Sequence, residues 1–579
     1  MFSTPAEIYE NAFRNYATLV AVRDDTPGAA SGGSAAGSSP ARTSSTGTDG
    51  PSEYTYRDLH VWSDAVMDQL DELGVQPGDV VSMFARNRVE WPVLETAIAR
   101  FGATRSPANY MSALDTIVYQ LGYARTKVLV ADHDLGAELL PKLAADPLTR
   151  DITVVQLRDP EGRLLPGAIP LVDQPPAGTA PHRESVKHDP QGLSTINFTG
   201  GTTGKPKAVA HTRASSAAAL YIQIVEAEIA TSERMLVMSP LAHSAGAFTS
   251  AGIGRGANVR ILDGFDAERT VDLLESDGIT WTFMVPTMIY RILDVVEARR
   301  TGAGEGTSAG EGASAGGATP HDQRASTTPL DLRTLVYGAA PMSPTRLEQG
   351  LRLFGRVFVQ LFGQTEAPQF CTSLGKLDHD LARPELLASC GNPTLFTQVQ
   401  VADEDGNFLA PGELGEIVVK TPFALREYLG NPEATAEKFF GDWVRTGDMG
   451  VRDENGYFYL KDRRNDMIIS GGFNVYSREV EDAVTAHPQV AQAAVIGIPH
   501  EDWGEAVHAY VVSRDGTPEA PHGSLTELEV CEFTRGKVAN YARPKSVTFV
   551  PDLPLTPFGK IDKKVLRAPH WENRTRAIG

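Results

Sequence analysis

An α/β fold built of several domain-sized units is predicted by three observations. Short apolar runs alternate with helical stretches along most of the chain. A glycine-rich segment follows one of those runs directly, as at a strand exit. At 579 residues with 41% hydrophobic content the chain can bury several cores, and length points to roughly three or four units.

Residues 80–84 (Val-Val-Ser-Met-Phe), 127–130, 152–155, 334–337 and 357–359 read as buried strands. Residues 193–198 (Leu-Ser-Thr-Ile-Asn-Phe) form the strand that delivers the glycine-rich segment. Residues 27–50 and 301–328, rich in Gly, Ala, Ser and Thr, bury too little apolar surface to offset their ordering entropy and read as insertions into surface loops. Towards the C-terminus a helix is predicted to open at Ser477, carry Glu479 in its first turn, bury Val480, Ala483 and Val484, and stop before Pro488. A strand follows at 493–496. Thr526 and Glu529 make a capping box with Leu525 and Val530 as its staple, so that Val530, Phe533 and Val538 face a small sheet.

Composition excludes whole classes of function. With 53 basic against 73 acidic residues the formal charge is −20, a surface that repels polyphosphate backbones, so general nucleic-acid binding is not expected. Cys371, Cys390 and Cys531 lie far apart with no Cys-x-x-Cys pair, and read as packing residues. No basic segment followed by an apolar stretch opens the chain and no run of about 18 apolar residues occurs, so no integral membrane segment and a cytoplasmic location are expected.

Phe198-Thr199-Gly200-Gly201-Thr202-Thr203-Gly204-Lys205-Pro206-Lys207 concentrates flexible glycines, hydroxyls and lysine charge, the requirements for holding phosphate oxygens. It is not a Walker loop, since Thr199 stands where that motif has its first glycine and Pro206 follows Lys205. Four further segments follow in order: Gly338-Ala339-Ala340, Phe362-Gly363-Gln364-Thr365-Glu366, Arg445-Thr446-Gly447-Asp448 with Arg463, and Pro557-Phe558-Gly559-Lys560.

The ordered set, which spans nearly the whole chain, resembles the adenylate-forming superfamily of acyl-CoA synthetases, peptide-synthetase adenylation domains and luciferases, and fatty-acid and aryl-acid CoA ligases most of all. The resemblance implies a large N-terminal part of stacked sheets and helices over residues 1–461, a hinge at 462–466, and a small mobile α+β domain over 467–579. It further implies ATP, Mg²⁺ and CoA. A carboxylate must displace pyrophosphate from the α-phosphate of ATP, so two anions have to meet and lysines, amides and a cation are needed.

Residue by residue, the resemblance implies that Thr199, Thr202, Thr203, Gly204 and Lys207 hold phosphates, with Thr203 counted as catalytic. Glu366 is then the metal carboxylate and Thr365 a phosphate contact. Gly338, Ala339, Ala340, Phe362 and Gly363 line the adenine pocket, Asp448 and Arg463 hold the ribose, and Lys560 is the catalytic lysine. His243, in Pro240-Leu241-Ala242-His243, and Gly338 wall the acid pocket. Gly471 and Gly472 line the CoA tunnel after domain rotation. The chain departs from the family pattern at Gly200 (usually Ser), Ala208 (Gly), Phe362 (Tyr), Asp462 (Gly), Asn465 (Asp or Lys) and Ser477 (often Pro). Residues 239–248 contain no carboxylate to pair an α-ammonium, so an α-amino acid is not the expected substrate.

The expected reaction is acid–CoA ligation through an acyl-adenylate. The alternatives are a carrier-protein thiol as acceptor, nitrite-dependent diazotisation of an amino-aryl acid, and, more remotely, a non-catalytic binding protein.

Overall fold

A computed structural model describes residues 2–25, 52–172, 174–183, 186–199, 206–304, 330–340, 342–463, 466–556 and 560–571. Both predicted insertions lie outside these residues, except that helix Pro286–Gly304 runs into the start of the second. Among the described residues the strands form four sheets, of nine, eight, five and five strands. The architecture is mixed α/β.

In the nine-stranded sheet, strands Val20–Asp24, Asn258–Ile261, Arg234–Val237, Trp281–Met284, Thr334–Tyr337 and Phe358–Gln364 lie side by side and parallel. Strands Trp281–Met284 and Thr334–Tyr337 are buried at every position. A strand covered on both faces has no polar side, which is why these segments read as continuous apolar runs. Parallel pairing also carries all their carboxyl ends to one edge of the sheet.

The eight-stranded sheet sets Val80–Phe84 between Thr104–Pro107 and Thr126–Ala131. It includes the antiparallel pair Leu193–Phe198 and Ala208–Thr212, to which Glu427–Tyr428 adds as an edge strand. The first five-stranded sheet is formed by Gln398–Ala402, Gly415–Lys420, Phe439–Phe440, Trp443–Arg452 and Phe458–Arg463.

The last sheet holds Ile468–Ser470, Phe473–Val475, Val490–His500, Gly504–Ser513 and Ser546–Phe549. Helices Ser477–Thr485 and Glu527–Phe533 belong to this smaller α+β unit. Its core, including Ile468, Val480, Val484, Leu525, Val530 and Val538, is a cluster separate from the large one.

Strand Leu193–Phe198, strand Thr334–Tyr337 and the helix opening at Ser477 have the predicted bounds. The Thr526–Glu529 capping box forms, with Leu525 and Val530 buried. Phe533 does not join the buried cluster. Its half-buried ring instead meets His487 edge-on at 4.6 Å. The predicted strand at 357–359 is the beginning of a longer one, Phe358–Gln364, whose polar end reaches into the site described next.

Candidate active site

Three turns at the carboxyl ends of the parallel strands gather predicted residues along one sheet edge. Strand Arg234–Val237 leads to His243, which precedes helix Ser244–Arg255. Strand Thr334–Tyr337 leads to Gly338 and Ala339, and strand Phe358–Gln364 to Thr365 and Glu366. This edge is where open parallel sheets bind ligands.

The turns are tightly built. A Cβ on Gly338 would lie 2.6 Å from the Leu361 carbonyl oxygen, and one on Gly363 would collide with the Gln369 backbone. Ala339 and Gln369 hold φ values of +65° and +67°. Left-handed backbone is costly for residues with a Cβ, and strain of this type gathers at functional turns.

The eight-stranded sheet meets this edge through the mouth of the glycine-rich loop. The Thr199 N–H donates to the Lys207 carbonyl at 3.0 Å, extending the ladder between the two strands by one bond. Gly200, Gly201, Thr202, Thr203, Gly204 and Lys205 themselves lie outside the described residues. The Lys207 ammonium sits 4.8 Å from the centre of the Tyr428 ring. Tyr428 donates its hydroxyl to the Glu366 carboxylate at 2.6 Å, and burial together with the Glu366 charge pushes the phenol far above its usual range. Glu366 is only 7% exposed, with the Lys438 ammonium 3.9 Å away. Lys438 also donates to Gln364 Oε1 at 3.2 Å.

His211 Nε2 donates to the Thr365 carbonyl at 2.9 Å. Burial lowers the His211 pKa against the opposing pull of the Thr365 carbonyl, Glu366 and the Ala424 carbonyl, and the ring helps to fix the turn that presents Thr365 and Glu366.

The smaller unit contributes Lys560. His243 is pushed down to about 4, first by burial and second by the positive charge of Lys560. The catalytic-lysine candidate and the acid-pocket candidate, remote in sequence, are therefore electrostatic neighbours. Lys560 is tied to Thr556: its N–H donates to Thr556 Oγ1 at 3.2 Å, and its carbonyl accepts from the Thr556 N–H at 2.7 Å. At neutral pH His243 is uncharged, which suits a wall beside a cation and an apolar acid.

Asp448, 7% exposed, lies on strand Trp443–Arg452 in register with Arg463 of the adjoining strand. Its N–H is satisfied by Thr446 Oγ1 at 3.0 Å. The thiol of Cys371, on strand Ala367–Leu374 just beyond Glu366, is raised chiefly by burial, with smaller contributions from Cys390 and Asp448. Asp448 thus lies within electrostatic reach of the strand that follows the Glu366 turn. Phe362 is buried at 8% exposure, on the strand that follows Gly338 in the sheet.

The model of the AMP-binding enzyme family matches residues 34–429, and that of the AMP-binding enzyme C-terminal domain matches residues 479–560. The chain belongs to the AMP-binding enzyme family. It is 34% identical over 525 residues to the medium/long-chain-fatty-acid–CoA ligase FadD8 of Mycobacterium tuberculosis, covering 88% of this chain and 84% of that protein. It is 32% identical over 524 residues to a feruloyl-CoA synthase of Amycolatopsis sp, covering 90% and 94%. Among solved structures, ATP-bound MatB from Rhodopseudomonas palustris superposes with a TM-score of 0.78 at 25% identity, covering 98% of this chain and 100% of that one. The amide bond synthetase McbA from Marinactinospora thermotolerans does so at 0.78 and 27%, covering 97% and 99%.

Within this AMP-binding enzyme Tyr428 and His211 join Lys207, Thr365 and Glu366, Gly338 follows the neighbouring parallel strand, and the charge of Lys560 reaches His243. Gly471 and Gly472 form the two-residue turn between Ile468–Ser470 and Phe473–Val475, with φ of +58° and +81°, the geometry of a hairpin turn that favours glycine. Gly471 donates its N–H to the Trp503 carbonyl at 2.9 Å.

Four residues that shape the site went unread in the sequence. Tyr428, Lys438 and His211 act through contacts that only the fold creates. Asn87, 1% exposed, pins the segment leading to His243: its Nδ2 donates to the Ser239 and Leu262 carbonyls at 2.9 and 3.1 Å, and its Oδ1 accepts from the Leu241 N–H at 2.9 Å. The available signal was a polar residue just past the buried run at 80–84. Replacing Tyr428 by Phe removes one hydrogen bond to a charged group, worth about 1.5–3 kcal/mol. Acid-dependent ATP–pyrophosphate exchange by Tyr428→Phe is expected to fall about tenfold or more, with the thermal unfolding midpoint nearly unchanged. Wild-type exchange in this variant would show that the hydroxyl does not position Glu366.

Proposed function

We propose that this enzyme activates a fatty or aryl carboxylic acid with ATP, releasing pyrophosphate and forming an acyl-adenylate, and then passes the acyl group to the thiol of CoA with release of AMP. The observation that carries the reading is the gathering of His243, Gly338, Thr365 and Glu366 at the carboxyl edge of one parallel sheet, where the charge of Lys560, from the smaller unit, is felt at His243. An ammonium between an incoming carboxylate and the α-phosphate offsets the repulsion of two anions and the charge that builds as pyrophosphate departs.

In this reading the glycine-rich loop and Lys207 hold the β- and γ-phosphates, with Thr199 closing its base and Thr202, Thr203 and Gly204 as donors. Gly338, Ala339, Ala340, Phe362 and Gly363 hold the adenine, Asp448 and Arg463 the ribose, and Thr365 a phosphate oxygen. His243 walls the acid pocket without transferring a proton. Gly471 and Gly472 line the thiol's path once the smaller unit has turned.

Among the described residues no three His, Cys, Asp or Glu side chains cluster as a metal cage. One buried carboxylate, Glu366, fits Mg²⁺, which is usually held by one or two carboxylates together with substrate phosphates. Bound Mg²⁺ would offset charge on the triphosphate. The division between the two units is assigned to 462–466, supported by strand Phe458–Arg463 belonging to one sheet and Ile468–Ser470 to another.

The acid class is supported by similarity to a fatty-acid–CoA ligase and a feruloyl-CoA synthase. No helix among the described residues is long and apolar enough to cross a membrane, and dependence on ATP and CoA favours a cytoplasmic location. Incubation with ATP, Mg²⁺ and hydroxylamine over a panel of fatty, aryl and arylpropenoic acids tests the reading. A hydroxamate from a subset of acids, and the corresponding CoA thioester when CoA replaces hydroxylamine, are expected. A product only with a carrier protein or an amine would reassign the acceptor.

A further inference from the structure

The junction between the two units is bridged by a chain of polar contacts outside the nucleotide and acid pockets. Asp462 lies on strand Phe458–Arg463, in the sheet of the larger unit, while Ser477 opens helix Ser477–Thr485 in the smaller one. The Asp462 carboxylate accepts from the Ser477 N–H at 2.6 Å and from its hydroxyl at 2.8 Å. Ser477 is fully buried, and its hydroxyl oxygen in turn accepts from the Lys563 ammonium at 2.6 Å. Lys563 also pairs with Glu481 at 2.7 Å, and Glu481 accepts the Val495 N–H at 2.8 Å. One turn along helix Lys563–Arg567, which Lys563 opens, Arg567 pairs with Asp466 at 2.7 Å.

Two features make this more than a buried ion pair. The first N–H groups of a helix lack intrahelical partners. Tyr476, the residue before this helix, makes no side-chain cap, so a carboxylate from the other unit supplies the acceptor where the helix dipole favours negative charge. In addition, Lys563 follows Lys560 by three residues, and the backbone between them is anchored by the Asp562 N–H on the Pro554 carbonyl at 2.7 Å. The chain Asp462–Ser477–Lys563 therefore runs from the strand beside Asp448 to within three residues of Lys560. The two positions that depart from the family pattern here, Asp462 and Ser477, are bonded to each other; glycine and proline in their places would offer neither carboxylate nor N–H.

We infer that Asp462, Ser477 and Lys563 form an interdomain latch that positions Lys560 for adenylation and has to open before CoA transfer. The inference rests on the proposed two-step reaction. Asp462 is fixed by its strand to the sheet of the larger unit at the start of the junction and Ser477 belongs to the smaller unit, so a rotation about the residues that follow Asp462 draws them apart. The latch holds the orientation in which Lys560 lies by His243, and its rupture is part of the barrier to the second step. Asp462, Ser477 and Lys563 are positioning residues that act through Lys560.

Separate assays of the two half-reactions test this. In Asp462→Ala, acid-dependent ATP–pyrophosphate exchange should fall about tenfold in kcat with KM for ATP within about twofold, because charge-assisted hydrogen bonds are lost and no nucleotide contact is removed. Thioester formation from preformed acyl-adenylate and CoA should be unchanged or faster. Asp462→Asn, which keeps an acceptor for Ser477, should recover most of the exchange rate. Should Asp462→Ala fail to fold, Ser477→Ala, which removes the hydroxyl bridging Asp462 and Lys563 but leaves the helix N–H, carries the same test with about a threefold loss. Equal losses in both half-reactions, a rise in KM for ATP at constant kcat, or unaltered exchange in Asp462→Ala would each overturn the latch. Wild-type protein that runs neither half-reaction on any acid would overturn the proposed reaction itself, a distinct outcome.

Discussion

Lys560→Ala is expected to lower acid-dependent ATP–pyrophosphate exchange by about a hundred- to a thousandfold, the usual cost of deleting one preorganised group aimed at developing charge. Thioester formation from preformed acyl-adenylate should stay within about twofold of wild type, because the proposed rotation carries Lys560 away before the thiol attacks. The split follows from placement. Lys560 is tied to Thr556 in the smaller unit, and its charge helps to hold His243 at about 4. A second consequence is local: with the ammonium removed, part of the downward pressure on His243 disappears and its pKa should rise, although burial, the larger cause, keeps it below its ordinary value. Histidine proton resonances followed through an acid titration would register this. Equal losses in the two half-reactions would mean that Lys560 serves folding or a step common to both.

Glu366→Gln is the second large expected effect. The Glu366 carboxylate is 7% exposed, accepts from Tyr428 at 2.6 Å and lies 3.9 Å from Lys438. The amide is nearly isosteric and keeps an oxygen for Tyr428, so folding stability should change little. It removes the negative charge, leaving the Lys438 cation without that charge beside it. Exchange should fall about a hundredfold, and the Mg²⁺ concentration needed for half-maximal rate should rise. A loss of rate with no change in Mg²⁺ dependence would assign Glu366 to positioning of the Thr365 turn, not to the metal.

The fold class was legible because strands buried on both faces leave continuous apolar runs, and Thr334–Tyr337 has its predicted bounds for that reason, whereas the half-polar Leu193–Phe198 is marked instead by the glycine-rich segment that follows it. The helix at Ser477 was equally readable, since its first-turn acid and apolar spacing are local signals. What supplies the acceptor for its first N–H was not, because Asp462 comes from another sheet. Phe533 departs from the expectation: its place in the helical period fits the small core, but His487 lies close enough to take the ring at the rim.

The site divides along the same line. Glycines at 338 and 363 answer to local backbone crowding and belong to short motifs. Tyr428, His211 and Lys438 meet Glu366 and its turn only because Glu427–Tyr428 pairs with Ala208–Thr212, a contact across more than two hundred positions that no short window reveals.

The most direct measurement is ATP–pyrophosphate exchange by the unaltered enzyme with Mg²⁺, with and without each acid, and in the absence of CoA. Exchange is expected only when a fatty or aryl acid is present and without any need for CoA, since pyrophosphate leaves in the first step. Exchange that requires CoA, or ATP cleaved to ADP and phosphate with an acid that is converted to its thioester, would contradict an acyl-adenylate and the arrangement of Lys560, His243 and Glu366 built around it.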